Sequence, residues 1–291
     1  MPEHDSLRRF IFEALPVQGR CVHLDATWRA VLERQKYPAP VRAVLGQAMT
    51  AAALLSATLK YEGSITLQIR GSGPLHLLVV QCTNQLQLRG LARWHGALPS
   101  DGGLSALAGD GKLALTIEPA SRGERHQSIV PLEGATLGRS LEQYFARSEQ
   151  LPTRLWLCAG DTSAAGFLLQ VMPGREHQAD AWQHTTLLAD TVTDAELADL
   201  PPAKLLHRLF NEDDVRLFEP QAVSFRCQCS RERIEATLRS LGREEVEGVL
   251  REQGRVHVEC EFCARQYDFD VVDVRALFES DPQPAASGLR H

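Results

Sequence analysis

Four of the seven cysteines in this 291-residue chain fall in two tight pairs. Cys227 and Cys229 stand one residue apart in FRCQCSRERI, and Cys260 and Cys263 stand two apart in ECEFC, with 30 residues between the pairs. Two short chelating pairs joined by a folded insert bring four sulfurs to one tetrahedral zinc, each pair forming an edge and the insert closing the loop. Such a set leaves no open coordination position, so it points to a structural or regulatory ion and away from Lewis-acid catalysis. The alternative is four unligated thiols. Arg226, Arg231, Arg233 and Arg265 lie beside these cysteines in sequence, and nearby cations favour the thiolate, the form that oxidants attack. Either pair is close enough in sequence to close a local disulfide, with the small C-x-C ring strained and readily reduced.

The elements that must position these sulfurs form a small unit spanning 221–276. Ser230 caps a helix carrying Ile234, Leu238 and Leu241, which ends at Gly242; a second helix carries Val246, Val249 and Leu250 and ends at Gly254. Val256 and Val258 then alternate into the second cysteine pair, and Tyr267 and Phe269 follow at strand spacing. The pattern predicts a helical hairpin followed by a β-hairpin. A unit of about 55 residues seldom buries enough apolar surface to fold unaided, whereas zinc binding in small peptides contributes about 10–16 kcal/mol. The tail 277–291, with its DPQPAASGLRH, is expected to be disordered.

Residues 1–173 read as an α+β domain with a large, largely antiparallel sheet. RRFIFEA, SITLQIR, LHLLVVQC, QLQLRGLARW, KLALTIE, TRLWLCAG and FLLQVMP carry β-type content between turn-formers. Val41, Val44, Leu45, Ala48, Met49, Ala52, Leu55 and Leu59 recur at spacings of three and four beside Pro40, predicting a helix packed on that sheet. Ser140 and Gln143 fit a capping box for another helix. Cys21, Cys82 and Cys158 sit in apolar strand contexts and read as buried thiols.

Between these parts, 174–220 is polar, helix-prone and broken by Pro201 and Pro202, with a capping box at Thr193 and Glu196. Helices shorter than about 12–15 residues are marginal alone, so they must dock through Leu187, Leu188, Leu197, Leu200, Leu205, Leu206, Leu209 and Phe210. The segment reads as a metastable helical linker; the plain alternative is a helical subdomain fixed to the core. Glu212, Asp213 and Asp214 read as a solvated helix end, and Trp182 as a docking residue.

A net charge of −6 argues against an anionic-membrane or nucleic-acid partner. The zinc-ribbon nucleic-acid binder is the first rival, and residues 222–275 hold nine arginines against eleven acids, the wrong balance for phosphate binding. A thiol-disulfide oxidoreductase is the second, but its C-x-x-C lacks a thioredoxin-like βαβ setting. Arg42, Gln47, Thr50, Ser56 and Thr58 interrupt the most apolar stretch, against a membrane span. MPEHDSLRRF shows no secretory pattern, so a cytoplasmic protein is expected. Histidine spacings of the metalloprotease type are missing, and His257 reads as a residue of a solvated strand face. With no Walker loop, nucleophile elbow or dinucleotide fingerprint, and G-S-G in RGSGPL too short to count, no catalytic residue and no organic cofactor are expected.

At FRCQCSRERIEATLRSL and VECEFCARQYDF the chain resembles the thirty-three kilodalton heat-shock protein family, redox-regulated cytosolic holdase chaperones. The likeness extends to RGSGPL at 70–75, AAGFLLQVMP at 164–173, the linker and the cysteine module. Ala165 and Ala264 stand where glycine is common in the family. The resemblance implies a reduced, inactive form holding one zinc per chain at Cys227, Cys229, Cys260 and Cys263. It also implies an oxidised form in which Cys227 pairs with Cys229 and Cys260 with Cys263 as zinc departs. That form is expected to unfold the linker, expose apolar surface, dimerise, and bind unfolding client proteins without ATP.

Overall fold

The computed structural model describes residues 4–58, 62–99, 103–120, 124–132, 136–174 and 178–279. The chain divides at Arg226/Cys227 into two compact units.

The first unit begins with β1 (Ser6–Phe12), β2 (Val17–Leu24), α1 (Ala26–Leu32) and α2 (Ala39–Ser56). Then come β3 (Gly63–Arg70), β4 (Leu75–Thr83), β5 (Gln87–Trp94), α3 (Gly103–Ala108), β6 (Lys112–Pro119) and β7 (His126–Pro131). A helix α4 (Leu137–Tyr144) runs into a π-helical turn at Phe145–Glu149 and is followed by β8 (Thr153–Ala159) and β9 (Ala164–Val171). Three short helices follow, α5 (Ala179–Ala189), α6 (Asp194–Asp199) and α7 (Pro202–Phe210), then the brief strands β10 (Val215–Leu217), β11 (Gln221–Ala222) and β12 (Ser224–Phe225).

The α+β class read from the sequence holds, but the strands form two six-stranded sheets where one large sheet was expected. The first runs β10-β1-β2-β9-β8 with β11 also on β1, and the second runs β12-β5-β4-β3-β6-β7. All pairings are antiparallel except β12 on β5. The helix α2 explains the division. It contacts strands of both sheets, and even its Thr50 and Ser56 are buried, donating to Gln47 O and Thr83 O at 2.9 and 2.8 Å. A helix covered on opposite sides needs two sheets to cover it. Close approach is set by Gly166 of β9, where a Cβ would meet Leu54 of α2 at 2.9 Å.

β9 reads AAGFLLQV without polar alternation, and every one of its residues is buried, the mark of a strand covered on both faces. One face meets α2. The other carries Phe167 and Leu169, which join Phe10, Phe12 and Val17 in a second apolar cluster with Leu197, Leu205, Leu206, Leu209 and Phe210 of α6 and α7. Phe210 stands edge-on to Phe12, ring centroids 4.9 Å apart. The short helices of 174–220 thus rest on the outer face of the first sheet. Leu187 is an exception to the expected docking set, being 60% exposed.

Three local readings change. The cap of α4 is Thr136, whose side chain accepts from the Arg139 amide; Ser140 lies one turn inside, its hydroxyl donating to Thr136 O. Asp213 is not simply solvated, since His184 pairs with it at 3.1 Å. Residues 221–225, read as the start of the last unit, pair with β1 and β5 of the first.

The second unit holds α8 (Arg231–Leu241), α9 (Arg243–Gln253), β13 (Val256–Glu259), β14 (Gln266–Phe269) and α10 (Val271–Glu279). Helical hairpin and β-hairpin occur in the expected order, with Ser230 accepting from the Arg233 amide and Gly242 and Gly254 at positive φ. Leu241 turns outward, 59% exposed. The helix α10 reaches into the expected tail, and its Leu277 is buried; residues 280–291 lie outside the described residues. Among the described helices none is long and apolar enough to cross a membrane.

Candidate metal centre

The segment after β12 carries Cys227 and Cys229 up to the cap of α8, and the turn between β13 and β14 carries Cys260 and Cys263. That turn is fastened by three amides: Cys260 N donates to Arg265 O at 2.9 Å, while Cys263 N and Ala264 N donate to Cys260 O at 3.2 and 2.7 Å. The last of these bonds requires the chain to reverse in the left-handed region. Ala264 adopts it with φ 56°, at a position where a glycine would pay no Cβ penalty. The other glycine departure is harmless, because Ala165 is an ordinary buried strand residue paired with His23 and Cys158.

All four sulfurs lie within 4.8 Å of one another. Cys227 and Cys260 approach to 3.6 Å and Cys229 and Cys263 to 3.3 Å. A tetrahedral zinc with metal–sulfur bonds of about 2.3 Å has edges of about 3.8 Å, so the spread of observed separations brackets the required one. The donor set is chemically matched as well: four sulfurs, three half-buried and one buried, converge with no carboxylate or histidine among them. Two of them, Cys260 and Cys263, are costly to ionise as thiols. Burial pushes Cys263 up to about 12 and raises Cys260, so a thiolate cluster here calls for a cation at its centre.

Tyr267 completes the centre from β14, its hydroxyl donating to Cys229 Sγ at 3.2 Å. This bond to sulfur raises the phenol above its ordinary range. The strand alternation that puts Tyr267 and Phe269 on one face was visible in sequence; the reach of the hydroxyl was not. Of the arginines flanking the cysteines, Arg265 belongs to the centre: its hydrogen bond to Tyr267, and then the charges of Tyr267, Cys229 and Cys263, raise it. Arg231 turns instead to Asp273 at 2.9 Å and over the Phe269 ring, and Arg233 reaches Gln228. His257 is occupied by Asp268 at 2.9 Å on an exposed strand face.

The apolar setting is slight. Among the described residues of this unit, eight are buried in its core: Leu238, Val246, Val256, Cys260, Tyr267, Phe269, Val274 and Leu277. Cys260 is one of them, and Tyr267, the hydrogen-bond donor to Cys229, is another, so the centre is part of the core. The remaining thiols differ. Cys21, Cys82 and Cys158 are free and buried in the first unit, and burial pushes both Cys82 and Cys158 up to about 12.

Comparison with known proteins gives a consistent result. The family model described as Hsp33 protein matches residues 5–270. The chain is similar to the 33 kDa chaperonin of Nitrosococcus oceani, 51% identical over 291 residues and covering all of both chains. It is also similar to the 33 kDa chaperonin of Aeromonas salmonicida, 46% identical over 295 residues, covering 99% of this chain and 100% of the other. Among solved structures, the 33 kDa chaperonin (heat shock protein 33 homolog) of Thermotoga maritima superposes with a TM-score of 0.84, covering 95% of this chain and 98% of that one. At 24% identity that last likeness bears on the fold alone.

Proposed function

The chain belongs to the Hsp33 family, and from that premise we propose that it is a redox-regulated, ATP-independent holdase chaperone of the cytoplasm. The observation that carries this reading is the convergence of Cys227, Cys229, Cys260 and Cys263 within 4.8 Å in a unit whose own apolar core is too small to stand without them.

When bound at these four sulfurs, zinc supplies a cross-link and keeps them as thiolates, the reactive form. Oxidation by a peroxide pairs Cys227 with Cys229 and Cys260 with Cys263. Each disulfide forms as two thiolates yield two electrons to the O–O bond of one peroxide, which leaves as two waters after taking up two protons. Disulfide sulfur is a poor metal ligand, so the cross-link is lost together with the ion. The cluster is compact enough for either the local pairing or the crossed one, 227 with 260 and 229 with 263; peptide mapping of the oxidised chain distinguishes them.

The consequence for clients follows from what 174–220 covers. Leu197, Leu205, Leu206, Leu209 and Phe210 lie over Phe10, Phe12, Val17, Phe167 and Leu169. Each such side chain contributes about 1.5–3 kcal/mol by burial, but the helices that carry them span 6 and 9 residues and depend on that docking. The chain from the linker to Cys227 is fastened to the first unit by strands of only two or three residues, with Val223 buried in the main core and Phe225 packed against it. Collapse of the cysteine unit frees this connection, the linker helices melt, and the phenylalanine-rich sheet face and the linker's own leucines become available to unfolding proteins. In this state the protein acts as a homodimer.

The test is aggregation of a heat-labile protein followed by light scattering without nucleotide, with metal release followed on the same sample by a chromogenic chelator. Suppression should appear only after peroxide treatment and rise with metal release, and sedimentation should report a dimer. Equal suppression by the reduced, zinc-loaded form leaves a chaperone but removes the switch.

A further inference from the structure

The motif RGSGPL at 70–75 takes no part in the four-cysteine centre, yet its setting in the first unit is specific. Gly71 and Gly73 press against the backbone of α3's last turn: a Cβ on Gly71 would meet Ala108 O at 2.4 Å, and one on Gly73 would meet Leu107 O at 2.6 Å. Gly73 N donates to Ala108 O at 3.1 Å, and Asp110 N donates to the Ser72 hydroxyl at 3.1 Å. Two tight turns, 71–74 and 109–111, are thereby locked together. On the ladder between β3 and β6 this places Arg70 directly opposite Lys112.

Like charges directly opposed on one sheet face destabilise the pairing. Neither Arg70 nor Lys112 takes part in an ion pair among the described residues. Both line an open cleft of about 590 Å³ on the face of the second sheet turned away from α2. Arg125 adds a third cation there, held by Glu118 at 3.3 Å, and Asp110 is the one carboxylate among the lining residues. With Asp110 and the Glu118 that holds Arg125, the three cations face two acids, a local positive excess in a chain of net charge −6, and a cleft with an excess of one sign of charge concentrates ligands of the other. Ser72 and Gln127 add hydrogen-bond donors suited to an oxyanion, and Ile129, 56% exposed, adds apolar floor. The volume falls in the range of small-molecule sites.

We propose that this cleft binds a small, multiply charged phosphate ester, with Arg70, Lys112 and Arg125 taking its oxyanions and Ile129 lying under its organic body. The locked glycine turns are what hold the two opposed cations in place, which gives RGSGPL a role apart from the redox centre.

The experiment titrates fructose 1,6-bisphosphate into the full-length, reduced, zinc-loaded protein, with calorimetry and amide chemical shifts as readouts. Saturable binding at one site is expected, with shifts confined to the 70–73 and 109–112 turns and neighbouring strands. Arg70→Gln and Lys112→Gln should each weaken binding by at least about tenfold through loss of a charge-assisted contact, without lowering the melting temperature. Lys36→Gln, which removes an exposed cation elsewhere, should leave it unchanged. Absence of saturable binding, equal weakening by Lys36→Gln, or shifts mapping to another face would each overturn the site. Inorganic phosphate binding as tightly as the ester would overturn the assignment of an ester.

Discussion

Phe167 and Phe269 are buried to nearly the same degree, 0% and 1% exposed, yet their surroundings differ in kind. Phe167 stacks on Phe10 with ring centroids 5.6 Å apart, in a sheet packed on one face by α2 and on the other by α6 and α7. Phe269 sits in a core of eight buried residues, one of which is the cysteine Cys260. The first environment is held by burial alone and has no use for an ion. The second has four converging sulfurs beside it that could be cross-linked by an ion. On the proposed reading, oxidants and chelators act first on the cysteine unit and reach the Phe167 cluster only through the linker helices that cover it.

The contrast breaks most sharply when one ligand is removed. Cys260→Ser should weaken zinc binding by about 3 kcal/mol, roughly a quarter of the 10–16 kcal/mol of such sites, or about 100-fold. Chelator competition measures this, and the melting of the first unit should not move. Phe210→Ala tests the other side. It should cost about 3–5 kcal/mol of linker docking, accelerating amide exchange in 179–210 of the reduced protein and raising its basal chaperone activity while zinc affinity stays constant. Unchanged exchange there would mean that the linker is fixed scaffolding.

Smaller effects sharpen the picture within the cysteine unit. Tyr267→Phe keeps the buried ring but deletes the donor to Cys229, and loss of such a partner to a ligand should weaken zinc about tenfold. Ala264→Gly should act in the opposite direction. Relieving a left-handed alanine contributes about 1 kcal/mol, visible as tighter zinc in the same competition assay; weaker binding would show that the strain is not there.

What could be read from the sequence divides along a physical line. Cysteine spacing, the Ser230 cap and the stops at Gly242 and Gly254 are local signals, and the structure places all four sulfurs together at the ends of the expected hairpins. Features set by distant contacts were not legible. Two sheets in place of one follow from α2 being covered on opposite sides, which periodicity alone does not distinguish from a helix on a single sheet. The Tyr267 hydroxyl reaches Cys229 only because β14 folds back on β13. Leu187 and Leu241 had the right spacing for docking and turned to solvent, because a stripe of apolar residues can exceed the surface offered to it. The cap of α4 was misplaced by four residues, since Ser140 and Thr136 both have serine-type side chains near a helix start.

On this account the small apolar core of 227–279 does not hold its shape unless the four sulfurs are cross-linked. Amide hydrogen exchange on the full-length chain, kept reduced, with zinc bound and after chelation, tests it directly. Protection should vanish across α8, α9 and the β13–β14 hairpin on chelation while β3, β4 and β9 keep theirs; a cysteine unit equally protected without the ion would contradict the account.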